Sequence, residues 1–349
     1  GALRFDRMRP PALPDDAQVG AQATARGALM GLEVNVEATA QTSALPQAGL
    51  SDALLAQVFL SVVPRNHGAL LGPLDLVANT NVLVGPDGDA AARDQVIVDV
   101  RAHGDGAALL DDPDHALVLD RFDVESERVR IERFAAVRSR GLRGAAVLRL
   151  RHRPNTDHVL DLDVTLNELR ARLGGEGTSA HDTDPLQVGL HAKAITRGPH
   201  GWTLRACADA TTGSATTPCD PLQTQRPDAD ALRAVLEVPV DGELTTPRFA
   251  LERSSAVVFA RALQLERVAP LARGVAADIR GGLDADIRWD AAATEPLRVD
   301  VTVADFLTRV GAEGDAARAT RPLQVGLHAK AIARDEGGWT LHSCLDAAN

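Results

Sequence analysis

The chain has 349 residues, 45% of them hydrophobic and 24% charged, so it is a folding chain long enough for more than one core. Its formal net charge of −11 with no basic run argues against a nucleic-acid partner, and the absence of Tyr with only 3% aromatics removes the stacking platforms that bind bases or sugars. No run of 18 apolar residues exists to span a bilayer and no signal peptide is visible; the sequence opens at Gly1 without Met and stops soon after a repeated strand, so a fragment of a longer protein is expected.

Ala2–Arg7 opens the chain as a short strand. Arg26-Gly27 then precedes Leu32, Val34 and Val36, which alternate with Glu33, Asn35 and Glu37. A period of two marks a strand with one apolar face. After the turn residues Pro64–Gly68 comes Pro73-Leu74-Asp75-Leu76, and Val96, Val98 and Val100 form another alternating strand. Residues 1–115 make a diverged first repeat. Its Leu32 set is one residue out of phase with the later repeats, which predicts a bulge or a misalignment there.

A second repeat covers 116–249. Ala116–Arg121 echoes Ala2–Arg7, and Arg143-Gly144 echoes Arg26-Gly27. Ala146, Leu148 and Leu150 alternate with Val147, Arg149 and Arg151. Leu160, Leu162, Val164 and Leu166 alternate with Asp161, Asp163, Thr165 and Asn167. Asn167–Leu173 suits a helical turn by itself but continues the strand pattern. The segment PLQVGLHAKAI follows at Pro185–Ile195, with Pro185 at the strand start, where a missing N–H does least harm. Arg197–Gly201 reads as a hairpin loop leading into Gly-Trp-Thr-Leu at Gly201–Leu204. A loop insertion is expected near 211–241, with Thr211–Pro218 a small-polar loop and Asp228–Leu236 suited to a short helix.

The third repeat, 250–349, is truncated at its C-terminus. Arg280-Gly281 stands 137 residues after Arg143-Gly144, and Leu283, Ala285, Ile287 and Trp289 fall on Ala146, Leu148, Leu150 and His152. Leu297, Val299, Val301 and Val303 fall on Leu160, Leu162, Val164 and Leu166. PLQVGLHAKAI recurs unchanged at Pro322–Ile332, and Gly338–Leu341 repeats Gly-Trp-Thr-Leu at the same offset. A long fixed offset means a duplicated structural unit. The only lysines, Lys193 and Lys330, lie in the duplicated stretch, which points to a recent duplication.

The chain thus reads as many short strands joined by Gly, Pro and Asp turns, an all-β protein. Few helices are available to cover the apolar face, so the sheet must meet a second layer or curl around that face. The expected architecture is an elongated, curled antiparallel sheet, an open groove built from tandem multi-strand repeats.

No residue constellation argues for catalysis, and no enzyme is expected. His191 and His328 occupy the same repeat position, with no obvious Cys or carboxylate partner, so solvated or edge histidines are expected and no metal or cofactor. Asp111–His115 lacks the glycine and terminal Glu of a calcium loop and reads as a turn. Asp161-Leu162-Asp163 loses one acid in the third repeat, where Arg298-Val299-Asp300 stands, and reads as a solvent-facing strand edge. Gly174–Gly177 carries no Lys-Ser/Thr and no helix start, so it is no phosphate loop. Cys207, Cys219 and Cys344 match no zinc spacing; Cys207 and Cys219 either pair in an oxidising compartment or stand as small half-buried hydrophobes.

The alternating strands Leu117-Val118-Leu119-Asp120-Arg121 and Leu263-Gln264-Leu265-Glu266-Arg267 lead to an Arg-Gly element, then to a Pro-Leu-x-Val strand and Gly-Trp-Thr-Leu. In this cadence the chain resembles the AsmA-like proteins, most closely the TamB branch, the inner-membrane subunit of the translocation and assembly module. The resemblance covers nearly the whole sequence but has no diagnostic motif. It implies a periplasmic β-taco in the cell envelope of a diderm bacterium, anchored to the inner membrane in the full-length protein. It also implies phospholipid transport toward the outer membrane and support of outer-membrane protein assembly. The sequence has neither the anchor helix nor the partner-binding domain of that family, so an outer-membrane barrel partner would act through regions absent here.

On that reading, phospholipid acyl chains lie against Leu160, Leu162, Val164, Leu166, Leu186, Val188 and Leu190, and against Leu297, Val299, Val301, Val303, Leu323, Val325 and Leu327. The alternative is a secreted or surface β-solenoid, a stalk or adhesin with a closed, dry core. Its usual repeats are about 20–50 residues, shorter than the unit here.

Overall fold

The computed structural model describes residues 2–8, 18–26, 33–42, 53–65, 72–85, 93–111, 117–139, 141–154, 156–173, 181–196, 201–211, 219–227, 230–242, 248–268, 279–307, 309–310, 318–319, 321–333 and 338–348. These residues are nearly all antiparallel strand and form two compact units, Gly1–Leu162 and Asp163–Asn349.

In the first unit, β1 (Ala2–Met8), β2 (Gln18–Arg26), β3 (Glu33–Thr42), β4 (Ala53–Pro64), β5 (Pro73–Gly85), β6 (Asp94–Asp105), β7 (Leu117–Arg130) and β8 (Leu142–His152) pair each with the next. No pairing among the described residues joins β8 back to β1, so the sheet is open. The helices are minor: α1 (Gly106–Asp111), where Asp105 Oδ1 accepts the N–H of Ala107 and Ala108, and the single turn α2 (Ala135–Arg138). The strand β9 (His158–Leu173) crosses the division between the units. Asn167–Leu173 is therefore strand, as the alternation predicts.

The second unit continues with β10 (His181–Asp182), β11 (Leu186–Thr196), β12 (Gly201–Thr211), β13 (Ala231–Asp241), β14 (Arg248–Phe249), β15 (Ser255–Gln264), α3 (Leu265–Val268), β16 (Arg280–Asp290), β17 (Leu297–Leu307), β18 (Arg309–Val310), β19 (Arg318–Ala319), β20 (Leu323–Ala333) and β21 (Trp339–Ala348). Its main order is β11-β12-β13-β15-β16-β17-β20-β21, with β9 pairing β10 and β11.

Element bounds recur at the sequence offset: shifting β10 and β11 by 137 residues lands on β19 and β20. Backbone irregularities recur too. Glu168 and Asp305, one offset apart, both adopt left-handed φ values of 53° and 52°. The Arg-Gly element has the same explanation twice over, since Gly144 and Gly281 have φ of 157° and 137°. A Cβ on Gly281 would also stand 2.7 Å from the Ala304 carbonyl oxygen, so only glycine fits.

Several expectations are corrected. The stretch near 211–241 is no mere insertion, and Asp228–Leu236 contains no helix among its described residues. Ala231–Asp241 is β13, hydrogen-bonded to β12 on one side and β15 on the other. Leu232, Ala234, Leu236, Val238 and Val240 alternate, and pairing on both edges selects strand over helix for an Ala/Leu-rich stretch that suits either. The expected strand Leu263–Arg267 ends at Gln264, and Leu265–Val268 turns as α3. β3 pairs with β2 and β4 with no register shift, so its described part contains no bulge. Shifts fall instead in the β6–β7, β7–β8, β15–β16, β16–β17 and β17–β20 pairs, among others. Gly27–Leu32, Asp112–His115, Gly174–Gly177, Arg197–His200, Thr212–Pro218 and 334–337 lie outside the described residues.

Register gathers most of the apolar residues on one side of the sheet. In the first unit the row Ala38, Val58, Thr80, Val98, Val124, Leu150 crosses six strands. The adjacent row Glu37, Phe59, Asn79, Asp99, Asp123, Arg151 is on the other face. In β3 to β6 and β8 no described residue of the apolar face is exposed, whereas Phe59, Val63, Ile97 and Val147 on the other face are. Most apolar-face residues are half-buried rather than sealed. That is the signature of a sheet curling around its apolar side without a second layer on it.

Buried ion pairs close the polar margin of this unit. Asp94 and Arg133 are 4% and 5% exposed and meet at 2.5 Å, and Asp94 also accepts the Arg130 backbone N–H at 2.9 Å. Burial pushes the Asp94 carboxyl up, but Arg133 and Arg130 outweigh it and hold the group below the ordinary carboxylate range. Asp123 behaves alike: burial opposes, and Arg153 with Arg121 prevails.

Candidate functional site

The second unit carries the longest uninterrupted apolar surface among the described residues. Val188, Ala210, Leu232, Ala260, Ala285, Val301, Leu327 and Leu345 form one cross-strand row over eight strands. The next row on that face is Leu190, Ala208, Ala234, Val258, Ile287, Val299, Ala329 and Ser343. At ~4.8 Å between strands, such a row runs for about 30 Å.

The sequence-predicted residues fall into this pattern. Val188, Val301 and Leu327 share the first row; Leu190 and Val299 share the second. Val303 opposes Val325, Leu297 opposes Ala331, and Leu323 opposes Phe306 beyond a register shift. Leu186 begins β11 on the same face and is 2% exposed. In β9, Val164 and Leu166 alternate with Asp163, whose carboxylate reaches the opposite, polar face at His191, so the two lie on the apolar side; Leu160 and Leu162 share their parity within β9 but belong to the first unit. Leu232, Leu236, Val238 and Val258 were missed as lining candidates. The alternation across 232–240 was the available signal.

The face carries exposed apolar residues on β11, β13, β20 and β21, whereas Ala260 on the central strand β15 is buried. Leu190, Leu236 and Leu327 are 42%, 40% and 40% exposed despite lying in paired strands. At one end β14 pairs with β13, Phe249 meets Trp202 edge-on at 6.5 Å, and Ala250 donates its N–H to the Pro239 carbonyl; Val238 and Val240 are buried there. All three tryptophans, Trp202, Trp289 and Trp339, lie on the apolar face, opposite Val240, Leu297 and Ala333.

The polar face is also structured. Residues 219–227 form a strap across it. Cys219 is disulfide-bonded to Cys207 and donates its N–H to Asp209 at 3.0 Å. Arg226 pairs with Asp286 at 2.6 Å and stacks over the Phe259 ring at 5.4 Å. Arg288, first, and Arg226 hold Asp286 below its ordinary pKa against burial. A concavity of about 470 Å³ lies here, lined by Arg226, Phe259, Asp286, Asp300 and Thr302 among others.

This strap corrects the expectation for His191. The side chain is buried, not solvated or at an edge, and its Nδ1 bonds Asp163 Oδ1 at 2.7 Å. Asp163 is partly solvent-facing, as expected, and is also the histidine's partner. The equivalent His328 Nδ1 bonds Asp300 Oδ1 at 3.1 Å, but there the histidine side chain is half exposed. His328, first, and Arg298 lower the Asp300 pKa. Of the cysteines, Cys207 and Cys219 pair and Cys344 is free and exposed.

No family model matches the chain, and no curated protein or solved structure is significantly similar to it.

Proposed function

We propose that the apolar faces carry acyl chains, and that the chain is a segment of a periplasmic bridge-like protein moving phospholipid between the inner and outer membranes, of the AsmA-like type. The observation that carries this reading is the row from Val188 to Leu345, apolar at every one of its eight positions, with Leu327 and Leu345 in it and Leu190 and Leu236 beside it exposed. Binding needs no covalent step. Each CH₂ withdrawn from water is worth ~0.8 kcal/mol, so a long acyl chain half-covered by the face gains on the order of 6 kcal/mol. Neighbouring rows offer nearly the same aliphatic surface, so movement from one to the next changes the energy little.

The tryptophans provide the test. Phospholipid vesicles with brominated acyl chains are mixed with the protein, and Trp emission is followed. Quenching that Leu190→Glu or Val164→Asp weakens supports the reading, since an unpaired charge on that face is costly to cover. Unchanged emission, together with no lipid in organic extracts of the purified protein, refutes it and leaves a purely structural sheet.

A further inference from the structure

Behind the strap, five side chains converge that the acyl-chain reading does not use. His191 and Cys207 stand directly opposite each other in the β11–β12 pair, and Asp209 lies on the same face two residues beyond Cys207. Cys219 is brought in by the strap. One ligand-capable atom each from His191, Asp209 and Cys219 lies within 4.8 Å of the others, and all three residues are buried.

Two features show a built cluster. The His191 residue is 8% exposed, and its Nε2 has no hydrogen-bond partner although it is buried. An orphaned buried nitrogen is costly unless something uses its lone pair. Asp163 accepts a hydrogen bond from Nδ1, so in the neutral ring the lone pair is on Nε2, facing the cluster. A Cβ on Gly189 would stand 2.2 Å from Asp209 Oδ1 and 2.9 Å from His191 Nε2; the missing side chain makes room for both groups.

We propose that Cys207, Cys219, His191 and Asp209 form a redox-gated zinc site. In the oxidised chain the disulfide occupies the sulfur positions. A phosphine or dithiol reductant delivers two electrons, the S–S bond breaks, and two protons complete two thiols. With the phosphine, one water supplies the oxygen of the phosphine oxide and both protons; with the dithiol, its own two thiols supply the protons and it leaves as its disulfide. Zn²⁺ then binds both sulfurs with release of the two thiol protons, and His191 Nε2 and Asp209 complete a tetrahedral set of S, S, N and O donors. Asp163 is the positioning residue, holding the imidazole through Nδ1. The third repeat supplies an internal contrast. His328 faces Cys344 in the same register and Asp346 follows it, yet His328 is half exposed and Cys344 is a free, exposed thiol.

The test uses the full chain with Cys344→Ser, reduced with a phosphine, freed of reductant without air, and titrated with Co²⁺ and then Zn²⁺. The expected result is one tightly bound ion per chain, tetrahedral thiolate–cobalt absorption displaced by zinc, and no such binding while the disulfide is intact. Asp163→Asn weakens zinc about 10–100-fold, and His191→Ala or Asp209→Ala more. Far-UV circular dichroism checks that each variant keeps its sheet. The proposal is overturned by equal binding in oxidised chain, by equal affinity in His191→Ala, by absence of binding in folded reduced chain, or by loss of the sheet on reduction that zinc fails to restore.

Discussion

His191 and Asp163 meet at 2.7 Å with the histidine buried, while His328 and Asp300, one repeat later, meet at 3.1 Å with the histidine half exposed. The same two side chains on the same pair of strands are thus placed in two environments. Deleting a buried side chain leaves a void in a packed site, whereas water fills the space left by an exposed one.

His191→Ala is therefore expected to destabilise by about 1–3 kcal/mol, through the lost packing of a buried ring. His328→Ala should stay within about 0.5 kcal/mol. Urea midpoints followed by circular dichroism check the difference; equal losses would mean the strap shields nothing.

The glycines two residues before these histidines differ in the same way. A Cβ at Gly189 or Gly326 would stand 2.2 Å from a carboxylate oxygen, of Asp209 or Asp346 respectively. Asp209 is buried and holds the Cys219 N–H, but the Asp346 side chain is 68% exposed and swings away. Gly189→Ala is expected to cost about 1–3 kcal/mol, and Gly326→Ala less than about 0.5 kcal/mol. Thermal melting of the two variants side by side decides this.

In the first unit, Asp94→Ala strands the buried Arg133 guanidinium and should cost about 3–5 kcal/mol. The acid side follows from the lowered pKa of Asp94. Its contribution is fully present above the ordinary carboxylate value of about 4 and disappears as pH falls through the depressed folded value. Urea midpoints across that acid range should fall more steeply for the native chain than for Asp94→Asn, which has no carboxylate to protonate.

Asp305 holds φ of 52° in β17, where the register to β20 shifts between Val303 and Phe306. A left-handed conformation costs a side-chain-bearing residue roughly 1 kcal/mol, and Asp less than most. Asp305→Gly should raise the melting temperature slightly, while Asp305→Val lowers it. A fall with glycine would show that the Asp side chain contributes more than its backbone conformation costs.

What could be read from residue order alone was parity. Alternation along one strand depends only on neighbours in the chain, and a duplicated unit repeats it at 137 residues, so the all-β class and the apolar face of β9, β11, β17 and β20 were legible. The tertiary structure decided what that alternation leaves open. Whether Ala231–Asp241 is helix or strand depends on partners in β12 and β15, and whether His191 is wet depends on Cys219, 28 residues away. Burial of a polar group and the joining of two sulfurs are properties of chain segments brought together, and no local period encodes which segments those are.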